Sequence, residues 1–346
     1  MSTVGVIVNP LAGKDIRRLV AHASPVADSA KVGAVRRAVV GAVEAGATEV
    51  LVAGDHHRIG ERAVGSLSHR LGVRVEVVDE HVRGGRDDTA AATLEFAKRG
   101  AEALLVFGGD GTHRDVAAAW PAATIVAVST GTNNVFPSAW DATAAGVAAG
   151  LVACGAVPHA EVTRPAKLLR VHVEHRGGTL DDAALVEVAL VDGSFVGSRA
   201  VWDPSMIRAV VAAIAAPSAT GLAGLAGRAH PVDRVEPCGA VVRLGTGGRR
   251  VRVPLAPGSF SDVDVSSTTR LEPGHEVVLE GPGVVALDGE RSHVLGRAGS
   301  ASVRLDLDGP AVVDVDRALV LAAASRLFDV PIAPPHPDSP EDSDGH

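Results

Sequence analysis

Through the first 150 residues, short apolar runs alternate with segments whose apolar positions recur every three or four residues. The runs Val4–Val8, Val50–Ala53, Val73–Val78, Ala103–Phe107 and Thr124–Val128 read as strands; all but the third, which carries Arg74 and Glu76, are apolar almost throughout, which predicts burial on both faces. Between them, Ile16–Ala23, Val32–Ala45, Arg58–Leu71, Thr89–Lys98 and Arg114–Trp120 predict helices. In the second of these, Val32, Val35, Val39 and Val43 share a face, and Lys31, Arg36, Arg37 and Glu44 lie mostly off it. Asp87, Asp88 and Thr89 stand where they would cap the following helix. Strands alternating with helices predict a parallel sheet covered on both sides, an α/β domain of residues 1–160.

After about Val162 the period shortens to two. Leu168–Glu174, Val241–Leu244 and Arg250–Leu255 alternate apolar and polar, the last two facing each other across a "GTGG" turn. Glu276–Leu279, Val284–Leu287 and Ser302–Leu307 predict further strands. One interrupting helix is expected, with Asp203 as N-cap and Pro204 at its first position. The longest apolar run, Ala209–Ala216, reads as buried helix and is far shorter than a membrane span. Residues 161–312 thus predict a β-rich, sandwich-like domain. A terminal helix follows within 313–332, near Arg317–Phe328, and then an acidic, Pro-rich tail, 333–346, with nothing apolar to order it. The chain shows no internal repeat, and Trp120, Trp140 and Trp202 are expected in cores.

Composition narrows the function classes. Aromatic residues make up only 3% of the 346, which argues against a base-stacking surface. The net charge of −8 and the lack of a basic run argue against nucleic-acid or anionic-membrane partners. Cys154 and Cys238 are far apart and form neither a disulfide framework nor a metal pattern, so a reducing, cytoplasmic setting is expected. "MSTVGVIVNP" predicts a first strand rather than a signal peptide. Neighbouring His56 and His57 cannot share a helix face as an i, i+4 metal pair would, and read as loop residues.

Candidate chemistry concentrates in two loops. "VFGGDGTHRDVA" puts Gly108, Gly109, Asp110, Gly111 and Thr112 between a strand and a helix. Such a junction binds anions through free N–H groups and the helix dipole, and glycines let backbone approach a polyphosphate. A carboxylate there would repel phosphate unless it holds Mg²⁺ or accepts a proton from an attacking hydroxyl, so Asp110 points to phosphoryl transfer. A tight turn capped by Asp110 or Thr112 is the alternative. The next strand ends in Thr130, Gly131, Thr132, Asn133 and Asn134, where open α/β sheets bind ligands. Lys14, with Arg17 and Arg18 a turn later, is either a phosphate contact beside Asn9 and Gly13 or part of a solvated helix face.

"GGDGT" resembles the motif shared by NAD kinases and the diacylglycerol and sphingosine kinases, and "GTNN" resembles the GTxN loop of the lipid-kinase branch. "NPLAGK", residues 9–14, resembles that superfamily's first loop, and "VALDGERS", residues 285–292, its late DG segment. The longer runs look closest to the ATP-NAD kinase-like proteins named after acetoin catabolism protein X. The resemblance covers most of residues 4–300 and implies a two-domain kinase with a Rossmann-like first domain, a β-sandwich second domain and the active site between them. It makes Asp110 the base or the carboxylate linked to Mg²⁺, with Asp288 and Glu290 as further catalytic acids; a plain Asp-Gly hairpin turn is the alternative for these two. Asn9, Gly13, Lys14, Gly108, Gly109, Gly111, Thr112, Thr130–Asn134 and Glu187 would bind nucleotide. NAD kinases carry an Asn-Glu pair where this chain has Val186 and Glu187, and a different loop in place of "GTNN".

Three readings follow: an ATP-dependent kinase acting on NAD(H) or a related nucleotide, a lipid kinase, and a non-catalytic nucleotide-binding regulator on a kinase scaffold. "GTNN" and the DGE acids favour the second reading, and the charge balance opposes it. Asp110 opposes the third, and the missing Asn keeps it open. ATP or polyphosphate would be the donor, and the resemblance implies a homodimer or homotetramer.

Overall fold

The computed structural model describes residues 1–13, 26–65, 67, 71–79, 82, 87–131, 134–175, 178–193 and 203–330. Lys14, Arg17, Arg18, the helix expected at 16–23, Thr132, Asn133, Trp202 and the tail 333–346 lie outside the described residues.

The first half is a parallel sheet. β1 (Thr3–Val8), β2 (Glu49–Ala53), β3 (Arg74–Val78), β4 (Ala103–Gly108) and β5 (Thr124–Ser129) stand in the order β3-β2-β1-β4-β5. The order reverses between β1 and β4, and the carboxyl ends of neighbouring strands at such a reversal form the crevice where α/β sheets hold ligands. One face of the sheet is covered by α1 (Asp28–Glu44), α2 (Ile59–Val64) and a helix at Ala142–Ala153, and the other by α3 (Asp87–Lys98) and α4 (Asp110–Ala119). Strands covered on both sides need apolar residues at every position, which is why they read as continuous runs. The helix Ala142–Ala153, α5, starts from Asp141, whose carboxylate accepts from the Thr143 and Ala144 amides. It crosses α1 at backbone contact: a Cβ on Gly146 would overlap the Ala38 carbonyl.

The second half is a sandwich of two antiparallel sheets. The larger sheet has β9 (Glu187–Val191), β10 (Ile207–Ala212), β11 (Gly239–Ala256), β12 (Ser259–Leu271), β14 (Gly283–Leu287) and β15 (Glu290–Leu295), in the order β12-β11-β10-β9-β14-β15. The smaller has β7 (Leu168–His175), β8 (Gly178–Ala184), β13 (Glu276–Glu280) and β16 (Ser300–Asp306), in the order β13-β16-β7-β8. Leu169, Val171, Val303 and Leu305 of the small sheet meet Val188, Leu190, Val211, Val285 and Leu287 of the large one. A helix at Leu222–Ala229 covers the large sheet's other face. Leu185, Val186 and Ile214 join the apolar cluster on one face of the parallel sheet, so the two halves share a core.

The chain then returns. Ala311–Val313 (β17) pairs parallel to β5, Thr163–Pro165 (β6) pairs antiparallel to β17, and the terminal helix Val315–Ala324, capped by Asp314, buries Val315, Ala318 and Ala322 in the first half.

Several elements differ from the sequence reading. The helix expected after Asp203 is a single 3₁₀ turn, Pro204–Met206, and the apolar run beyond it is strand β10. Central strands and buried helices look alike when every position is apolar. "GTGG" is no hairpin turn: Leu244 and Arg249 both register opposite Val265, so residues 245–248 bulge out of one long strand. Asp87 and Asp88 lie within the first turn of α3, where they complement the helix dipole. The helix after Arg58 ends at Val64, with Gly65 as its C-cap. Lys31 lies on the buried face of α1. No helix among the described residues is long and apolar enough to cross a membrane.

Candidate active site

Three loops meet side by side at the carboxyl ends of β1, β4 and β5. The Asn9 amide nitrogen of the side chain donates to Thr112 Oγ1 at 2.8 Å across the β1–β4 reversal. The Asn9 backbone N–H donates to the Phe107 carbonyl at 2.9 Å, and its Oδ1 accepts from the Leu11 N–H at 2.9 Å. Lys31 is buried below, and its Nζ donates to the carbonyls of Asn9, Pro10 and Ala12 at 3.1, 2.7 and 2.7 Å. Gly13 closes the described part of this loop at a φ of 76°.

The "GGDGT" loop runs straight from β4 into α4. Its N-cap is Gly109, which offers the first-turn amides no side-chain acceptor, so the helix end suits an anion. Gly108 cannot carry a Cβ because Thr112 packs over it, and a Cβ on Gly109 would press the Asn134 Oδ1 at 3.0 Å. Asp110 does not cap its own helix. Its Oδ1 accepts from the Val135 and Phe136 N–H groups at 3.0 and 2.8 Å, and Oδ2 lies 3.2 Å from Val135 N. Asp110 therefore joins its loop to the end of the "GTNN" loop. Within that loop Asn134 donates to Ser129 Oγ at 2.9 Å, Ser129 Oγ donates to the Gly131 carbonyl, and the buried Thr130 Oγ1 has no hydrogen-bond partner among the described residues.

His113, one turn into α4, is fully buried against Phe136. Its Nδ1 meets the Gly109 carbonyl at 2.8 Å, and burial pushes its pKa down to about 4. The ring is therefore neutral, with Nδ1 as the donor.

The second half supplies the far wall. Asp288 sits in the β14–β15 turn at a φ of 48° and accepts from the Leu185, Val186 and Glu187 amides at 3.2, 2.8 and 3.2 Å. Burial pushes the Asp288 carboxyl up, against the pull of the Arg114 guanidinium and those amides. Arg114, buried on α4, donates to the Leu287 carbonyl at 3.1 Å and so ties α4 to this turn. Glu290 lies against the "GGDGT" loop, 3.8 Å from where a Gly111 Cβ would stand. Asp182 and His293 pair at 2.7 Å beside Arg114. Arg234 crosses from a loop before β11 to the Val135 and Phe136 carbonyls, at 2.8 and 3.3 Å.

Of the expected residues, Asn9, Gly108–Thr112, Thr130, Gly131, Asn134 and Glu290 therefore share one surface. Asp288 and Glu187 are buried behind it. Sequence reasoning missed Lys31, Arg114, Arg234 and the Asp182–His293 pair. Only Arg114, adjacent to the glycine motif, had a local signal. No group of three metal-ligating side chains converges among the described residues. An ion that arrives on a nucleotide's phosphates needs only one or two carboxylates, and Asp110 and Glu290 are at hand for that.

Residues 4–156 match the ATP-NAD kinase N-terminal domain, and residues 167–308 match the acetoin catabolism protein X C-terminal domain. Acetoin catabolism protein X of Cupriavidus necator is 35% identical over 312 residues, covering 87% of each chain. The crystal structure of yeast NADH kinase complexed with NADH aligns with a TM-score of 0.52 at 12% identity, covering 96% of this chain and 89% of that one, and shares the fold. A diacylglycerol kinase from Bacillus anthracis aligns with a TM-score of 0.40 at 13% identity, covering 90% of this chain and 96% of that one.

Proposed function

The chain belongs to the acetoin catabolism protein X family, and from that premise we propose that it is an ATP-dependent kinase for a hydroxyl of NAD(H) or a related nucleotide. The observation that carries this reading is the junction of the three loops. Asn9–Thr112 and Asp110–Val135/Phe136 hold a glycine-rich helix N-terminus and a carboxylate side by side at the sheet's reversal point. That pairing suits phosphoryl transfer: amides and helix dipole face phosphate, and the carboxylate faces the attacking hydroxyl. Asn9, Gly13, Lys14, Gly108, Gly109, Gly111, Thr112, Thr130, Gly131, Thr132, Asn133 and Asn134 are the proposed nucleotide contacts. Asp110 is the proposed base, with Glu290 beside it. Asp288 and Glu187 act from behind, the first by fixing the turn that carries Glu290. Asp110 and Glu290 would hold a Mg²⁺ ion brought by the donor's phosphates, directly or through water, and the ion would supply charge neutralisation there. The yeast relative's bound NADH supports a nucleotide acceptor. A cytoplasmic homo-oligomer is part of the same reading.

One observation favours a second reading. Val186, in the place of the Asn of NAD kinases, is fully buried and uses its amide on Asp288. An acceptor contact made there in NAD kinases is missing, which favours a different acceptor or pure nucleotide binding. A γ-phosphate transfer screen over NAD⁺, NADH, nucleosides, diacylglycerol and a long-chain base, with Mg²⁺, separates these. Phosphorylated NAD(H) or nucleoside is expected. Transfer to lipid alone, or nucleotide binding with no transfer, overturns the first reading.

A further inference from the structure

We propose that Arg234 is a positioning residue for Asp110, so that the second half of the chain sets the carboxylate of the first. Its catalytic consequence rests on the phosphoryl-transfer reading; its geometry does not.

Two consecutive residues, Val135 and Phe136, are held from both sides. Their N–H groups donate to Asp110, and their carbonyls accept from the two terminal nitrogens of Arg234, Nη2 at 2.8 Å and Nη1 at 3.3 Å. A guanidinium is a rigid planar fork, and its paired nitrogens suit two acceptors at fixed spacing, as a lysine's single ammonium does not. A carboxylate oriented by amides is only as well placed as the amides are. The Val135 carbonyl and the Phe136 N–H belong to one planar peptide group, so fixing that carbonyl fixes the direction in which the Phe136 N–H holds Asp110 Oδ1, and the bond to the Phe136 carbonyl holds the next peptide group in place.

The loop that carries Arg234 is itself anchored. The Asp233 N–H donates to Glu236 Oε1 at 3.0 Å, and the Val235 N–H to Asp233 Oδ1 at 3.0 Å. Beneath it Lys167, buried just before β7, donates from Nζ to the carbonyls of Asp233 and Cys238 at 2.7 and 2.9 Å. Burial pushes the Lys167 pKa down to about 8, against the pull of the acidic groups around it, so at neutral pH the ammonium grips both ends of the loop. A continuous path thus runs from the root of the sandwich through the loop and the guanidinium fork to Asp110.

The test compares Arg234→Ala and Arg234→Lys with the parent, by amide hydrogen exchange and by initial rates of Mg·ATP-dependent transfer. In Arg234→Ala, exchange at Val135 and Phe136 should rise by about tenfold, the effect of losing one or two hydrogen bonds, while Ala142–Ala153 keeps its protection. kcat should fall by about tenfold or more with KM for ATP within roughly threefold, because orientation and not binding is lost. Arg234→Lys should recover part of kcat and show intermediate exchange, and it decides the matter alone if the alanine variant does not fold. Unchanged exchange at Val135 and Phe136, or equal loss of protection throughout, overturns the proposal. If the parent transfers phosphate to no acceptor, the kinase reading fails, and exchange alone decides the role of Arg234.

Discussion

Asparagine at position 110 would keep an oxygen for the Val135 and Phe136 amides and remove the charge. Stability should fall by about 1–2 kcal/mol, the cost of weakening charge-assisted hydrogen bonds, as denaturant titration would register. Transfer should fall by about 10² to 10⁴-fold at saturating Mg²⁺ if the carboxylate is the base. A rate within a few-fold of the parent would leave Asp110 only its loop-joining role. His113 makes a pH prediction. Its pKa is about 4 in the folded state against an ordinary 6.5, so the unfolded chain binds the proton more readily. The associated stability is present above about pH 6.5 and is lost as pH falls toward 4, with about 2 kcal/mol gone by pH 5. Denaturant midpoints at pH 7.5 and 5 should differ in the parent and converge in His113→Gln. Asn9, Asp110 and Asn134 were legible in the sequence because glycine-rich loops after apolar runs are local signals. Lys31 and Arg234 were not, since both act on backbone carbonyls of distant residues, and a carbonyl leaves no mark in a sequence.

At the scale of elements, glycines in helices show how packing decides the sign of a substitution. A Cβ on Gly33 of α1 meets only Arg37 Nη1, at 3.5 Å, so Gly33→Ala should stabilise by roughly 0.5–1 kcal/mol through helix propensity. Gly146→Ala forces α5 away from the Ala38 carbonyl and should destabilise by about 1–3 kcal/mol despite the same propensity gain. Thermal melts of the two variants should move in opposite directions; a shared direction would refute the close crossing of α1 and α5. The parallel strands β1, β2, β4 and β5 were readable because both faces are buried. That same property hid β10, whose Ala209–Ala212 is buried on both sides and rich in a helix-favouring residue. "GTGG" misled for another reason. Glycines beside alternating residues spell a hairpin locally, and only the pairing of both flanks with β12 reveals a bulge.

Across the whole molecule, the two architectures were legible and their interleaving was not. β17 is three residues long, too short for any periodicity, yet it extends the first sheet after the entire sandwich has intervened. Truncation after Asp306 would strip Val313, Val315, Ala318 and Ala322 from the first half's core. At about 1.5–3 kcal/mol per buried aliphatic side chain, less for alanine, the loss is roughly 5 kcal/mol, comparable to a domain's whole stability. Such a chain should melt far below the parent by circular dichroism, or be recovered insoluble. Removing residues 333–346 should leave the melt unchanged, since that segment has nothing apolar to bury. The returning strand also bears on how the chain is made. A ribosome adding roughly 5–20 residues per second delivers Ala311 about 10–40 s after Ser129. Throughout that interval β5 is a bare edge on a nascent polypeptide, open to strands of neighbouring chains on the same message. A chaperone that shields strand edges would find its window between the emergence of those two residues.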